Sequence, residues 1–114
     1  MRLAGALAVS LAAAAALGGP PAQAYDARSL LALCRSAVFA QECLGYLEGV
    51  TDMLHLAPSF ARAICPPRQG LPLREIIDLF ERFAERYPQL LSLAGSEVIG
   101  MSLAQAHPCP EDRP

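Results

Sequence analysis

Four cysteines, Cys34, Cys43, Cys65 and Cys109, constrain this chain more than any other feature, because of what precedes them. Met1-Arg2 leads into an apolar run from Leu3 to Leu17, and Gly-Gly-Pro-Pro and the small-residue site Ala22-Gln23-Ala24 follow. That pattern predicts a secretory leader over residues 1–24, cleaved after Ala24. The run is shorter than the roughly 20 apolar residues needed to cross a bilayer, so no membrane association is expected after cleavage. The expected destination is the periplasm, where thiols oxidise. The remaining chain, residues 25–114, is long enough for a single domain but too short for its core alone to give a comfortable stability. An even number of cysteines then reads as two crosslinks, with three possible pairings.

Apolar spacing predicts an all-helical fold. Asp26 is a candidate N-cap, and Ala27, Leu30, Leu31, Cys34 and Val38 recur at the three-and-four spacing of one buried face, giving a first helix over 27–38. Cys43, Tyr46, Leu47, Val50, Met53, Leu54 and Ala57 form a second stripe, which Pro58 closes. Residues 58–72 hold Pro58, Pro66, Pro67, Gly70 and Pro72 and read as a long, stiff connection. A third helix over 73–87 carries the cleanest amphipathic pattern: Leu73, Ile76, Ile77, Phe80, Phe83, Ala84 and Tyr87. Pro88 ends it and suits the first position of a fourth helix. That helix is expected over 89–105, with Leu91, Ala94, Val98 and Met101 in line and Gly95 and Gly100 thinning it elsewhere. The expected architecture is a small, disulfide-stapled, four-helix up-and-down bundle.

Such a bundle favours one cysteine pairing. Cys34 and Cys43 flank the turn between the first two helices, while Cys65 and Cys109 both fall at the opposite end. Cys34–Cys43 and Cys65–Cys109 are therefore expected. Residues 35–42 contain neither glycine nor proline, however, and one continuous helix there would hold Cys34 and Cys43 about 13 Å apart, beyond disulfide reach. In that case Cys34–Cys109 with Cys43–Cys65, or the crossed pairing, would hold instead.

Gly45 and Gly49, four residues apart in the second helix, each cost about 1 kcal/mol relative to alanine. They suggest helix packing against a close neighbour, in the same chain or a second subunit, with Tyr46 beside them on the buried stripe. A homodimer is one expression of such a face. Asp52 lies near the glycine face and His55 on the polar side of the helix. Charge narrows the partner classes: the net charge is −2, and loss of Arg2 with the leader makes it more negative. Nucleic acid, which demands a basic face, is not an expected partner.

No recognisable chemistry is spelled out. There is no C-x-x-C pair, the cysteine spacings miss those of structural zinc, and no nucleophile has a base and an orienting group beside it. No catalytic residue, metal ligand or cofactor site is expected. A binding protein is the expectation.

The ordered set Cys43-x-Gly45-Tyr46-x-x-Gly49-x-x-Asp52, Cys65-Pro66, a helix ending before Pro88, and Pro108-Cys109 resembles the Rap/Tai immunity proteins over Leu30 to Cys109. The resemblance implies a disulfide-containing helical bundle, often dimeric. It further implies that the chain binds, in the periplasm, a peptidoglycan amidase delivered by type VI secretion and obstructs the amidase's active-site cleft. The matched glycines, prolines and cysteines then look like scaffold. Recognition falls to exposed residues, first of all Arg62, Arg68 and Gln69 in the proline-bracketed connection, with His55 and Asp52 as further candidates. A stiff arginine-bearing loop loses little entropy on docking. The acidic residues Glu75, Asp78, Glu81 and Glu85 would steer a basic partner. A periplasmic acid-stress chaperone, or an orphan adaptor on the same scaffold, is the alternative.

Overall fold

The computed structural model describes residues 25–111; the leader and its cleavage site lie outside them. Five α-helices and one 3-10 turn follow in order: α1 (Ala27–Arg35), α2 (Ala40–Leu54), α3 (Pro58–Ala63), α4 (Leu73–Arg86), the turn Pro88–Leu90, and α5 (Gly95–Ala106). The described residues are all-helical apart from two isolated backbone bridges, Asp26 with Ala94 and Ile64 with Pro108. Helix α1 packs on α2, α4 and α5, and α4 on α5. Phe80, Leu30, Leu47, Ile99, Val98 and Cys43 fill the centre. Truncating any of the large ones would leave a cavity costing about 2–5 kcal/mol.

The crosslinks are Cys34–Cys43 and Cys65–Cys109, the pairing that the bundle geometry favours. The first forces a reversal that local sequence does not announce. Helix α1 stops at Arg35 rather than running to residue 38, and Ser36 turns extended, which brings the Cα atoms of Cys34 and Cys43 to 5.0 Å. Val38, expected on the buried face, sits in the resulting turn and is 83% exposed.

The start of α1 explains a second difference. The first amides of a helix lack intrahelical partners. Here the Ser29 N–H donates to the Asp26 carboxylate at 2.7 Å. The Ala27 and Arg28 N–H groups donate to the carbonyls of Leu93 and Leu91, and the Gly95 N–H returns a bond to the Tyr25 carbonyl at 2.9 Å. Residues 91–94 are thus occupied in capping α1. Ala94 is extended, and the last helix begins at Gly95 instead of at 89.

The connection 58–72, expected as a long, stiff link, opens instead with the short helix α3, which Pro58 starts from the position proline favours. Two devices fasten α3. Phe60 lies over Gly100, where an added Cβ would come within 2.5 Å of the ring. After α3 the Cys65 N–H donates to the His107 carbonyl at 2.8 Å and the Cys109 N–H to that of Ala63 at 3.3 Å, beside the second disulfide. On the chain-entropy view, closing the 44-residue separation contributes about 4 kcal/mol.

The close approaches that glycine permits are therefore made in α5 and not in α2. A Cβ at Gly95 would meet Leu30 Cδ2 at 2.7 Å, whereas one at Gly45 or Gly49 would meet no atom within 4 Å. Among the described residues no helix packs closely against Gly45 or Gly49.

Candidate functional site

Two surfaces collect the residues singled out by sequence. The first is the segment from α3 to Gly70. Arg62 occupies the last turn of α3, while Arg68 and Gln69 lie in a turn closed by the Gly70 N–H donating to the Pro67 carbonyl at 2.9 Å; all three are exposed. Gly70 has φ +81°, in the left-handed region, a conformation that costs a side-chain-bearing residue strain and glycine none. The disulfide and the Ile64–Pro108 bridge hold the middle of this segment. Its arginines accordingly project from a fixed base.

Beneath α3 lies a cavity of about 220 Å³, lined mainly by apolar residues including Leu54, Phe60, Ile64, Ile76 and Leu103, with His55 and Thr51 on its wall. His55 caps the end of α2. It shares this wall with α3, so the structure brings His55 near the segment that bears Arg62. Asp52, exposed on α2, lines neither this cavity nor the second surface.

That second surface is a groove of about 490 Å³ floored by Gly45 and Gly49 and walled by Tyr46, Val50, Met53, Leu54, Ala57, Phe60, Ser96 and Glu97. Leu54 and Phe60 border both hollows. Met53, expected on the buried stripe of α2, is 61% exposed, and Leu56 is 67% exposed. The reason is supply: α2 buries only Cys43 and Leu47 completely, and among the described residues no further helix covers its outer side. Tyr46 is half-buried, with its ring edge-on to Tyr25 at 5.8 Å.

Sequence reading missed Phe60, Ser96 and Glu97. Phe60 carries a faint signal, an aromatic residue two positions after a helix-starting proline, but its partner Gly100 is distant along the chain. Ser96 and Glu97 reach the groove only because α5 starts late.

Electrostatics adds no reactive centre. The Asp26 carboxyl is held below the usual carboxylate range by the hydrogen bonds from Ser29, and the Tyr25 hydroxyl is raised by its hydrogen bond to the Glu42 carboxylate. Both groups tie down the start of the domain. Among the described residues no group of three or more His, Cys, Asp or Glu side chains is placed to hold a metal ion, and all four cysteines are oxidised. No helix among them is long and apolar enough to cross a membrane.

These features define a class: a disulfide-clamped, all-helical protein whose organised outer features are a stiff arginine-bearing segment and an apolar groove. The model of the Rap1a immunity proteins matches residues 26–109, and the chain belongs to that family. Comparison with curated proteins and with solved structures gave no match. Membership carries an immunity role against an effector and, with it, an effector protein as partner.

Proposed function

We propose that this protein is a periplasmic immunity protein that binds a peptidoglycan amidase effector, of the kind delivered by type VI secretion, and occludes its active-site cleft. One observation carries the reading. The segment Pro58–Gly70 presents Arg62, Arg68 and Gln69 from a base fixed by Cys65–Cys109 and the Ile64–Pro108 bridge. An inhibitor that works by obstruction must hold its shape in a cleft evolved to accept flexible peptide, and a preorganised segment loses little entropy there. Arginine suits the rim of such a cleft because its planar guanidinium pairs with carboxylates and carbonyls in a fixed geometry. Two crosslinks and the leader-like start of the chain support an oxidising, extracytoplasmic setting.

The test is titration of the disulfide-bonded protein into a purified peptidoglycan amidase effector from the same source, following cleavage of purified peptidoglycan. Turnover should fall linearly to zero near one equivalent. Replacing both Arg62 and Arg68 by alanine should weaken inhibition about tenfold or more without altering helix content. Undiminished turnover at a molar excess would remove the reading, as would cleavage of peptidoglycan by the protein alone.

A further inference from the structure

We infer that the groove between α2 and the start of α5 is a second docking surface, and that its occupant is a helical segment of a partner protein with a small apolar ridge between rows of Lys or Arg. The inference rests on the reading of this chain as a partner-binding protein and adds a place and a chemistry to it.

The groove is mainly apolar, with Glu97 on one wall and acidic residues but no basic ones on the helix that forms the other. Tyr46, Val50, Met53, Leu54, Ala57 and Phe60 form its walls, and the exposed side chains of Met53 and Leu56 extend it. Met is the adaptable apolar residue of binding surfaces. Gly45 and Gly49 provide depth, because the absence of a Cβ lets another backbone come near. No described residue uses that depth.

Charge selects the occupant. Helix α2 contains Glu42, Glu48 and Asp52 and no Lys or Arg; Glu97 stands on the opposite wall. Glu48, Asp52 and Glu97 are exposed. Among the described residues the ion pair is Arg35–Glu85, between α1 and α4, so Glu97 on the groove wall, and Glu48 and Asp52 on α2 outside its lining, have no cationic partner there. A basic-flanked helix would neutralise them. A second copy of this chain would not: in a two-fold pair the same patch meets itself, which sets this acidic rim against its own duplicate. The Arg62 and Arg68 segment lies outside the groove walls, so one partner can engage both surfaces at once, gaining affinity through a raised effective concentration.

The test uses two synthetic helical peptides that share an Ala/Leu ridge, one flanked by Lys and one by Glu, titrated into the isotope-labelled, disulfide-bonded protein. With the Lys-flanked peptide, amide signals of Gly45, Gly49, Met53 and Ser96 should shift, and affinity should fall as salt is raised. The Glu-flanked twin should bind about tenfold more weakly or not at all. Gly49→Leu fills the groove at a position where the chain leaves open space, so its helix content should persist while the shifts vanish. Equal binding of both peptides, shifts mapping elsewhere, no shifts, or self-association abolished by Gly49→Leu would each overturn the inference. Inhibition of the amidase is measured alongside. A protein that inhibits but ignores the peptides loses only the groove; one that binds the Lys-flanked peptide but inhibits nothing loses only the immunity reading.

Discussion

Two glycine-bearing helix faces in this molecule look alike in sequence and behave differently in structure. In α5, Gly95 lies against Leu30 and Gly100 against the Phe60 ring, so both are filled from within. In α2, Gly45 and Gly49 open onto the groove. The same residue type thus records an internal contact in one helix and an unused concavity in the other. Gly45, Gly49 and Gly100 lie inside helices and each costs about 1 kcal/mol in helix propensity, while Gly95 opens α5. What differs is whether the fold itself recovers that cost.

The comparison can be broken most severely at the clamp. Replacing Cys65 and Cys109 together by serine should lower unfolding free energy by about 4 kcal/mol, read by urea denaturation. It should also release Phe60 from Gly100, visible as chemical-shift changes in α5, while leaving the signals of Gly45 and Gly49 nearly fixed. Equal disturbance of both glycine faces would show that they are not independent.

A smaller effect is expected from crowding the inner face. Gly95→Ala should cost about 1–3 kcal/mol, because the obstructing atom belongs to Leu30, which has no exposed surface. Gly100→Ala should cost less, since the half-buried Phe60 can swing outward on its short helix. A reversed order in denaturation experiments would contradict this account of the two contacts.

On the outer face the sign should change. Gly45→Ala and Gly49→Ala add helix propensity and meet no neighbour, so each should stabilise the protein by about 0.5–1 kcal/mol and raise Tm. A fall in Tm would mean that something already occupies the face, a second copy foremost.

The smallest effect concerns acid. Asp26 has a depressed pKa in the folded state, so its contribution is present above the unfolded value of 3.8 and is lost as pH falls through the folded one. Asp26→Asn keeps a competent N-cap and removes that titration. Its Tm should therefore decline less steeply with acidification than that of the wild type.

Helix α4 was fully legible in sequence, because Ile76, Phe80, Phe83 and Ala84 bury one face that no other period explains. The crosslinks were legible through topology, once four helices were assumed. The end of α1 was not, since no residue between 35 and 42 breaks a helix and the stop comes from Cys43 joining Cys34. Nor was the start of α5, because the carbonyls of Leu91 and Leu93 serve amides at the far end of the domain's sequence. A six-residue helix such as α3 has too little local preference to declare itself and is fixed by Gly100 and Cys109. Of the candidate surfaces, the arginines and glycines could be named from the sequence, but their separation into a projecting segment and a groove depends on where α3 lies.

The anchoring of α3 has a consequence for maturation. Before the thiols of Cys65 and Cys109 meet, that short helix is held by the Phe60–Gly100 contact, the packing of Ile64 and a pair of main-chain bonds, without a covalent clamp. The molecule consequently gains its stiffest outward feature when Cys65 and Cys109 join, and a still-reduced chain should bind more weakly to anything that recognises that feature.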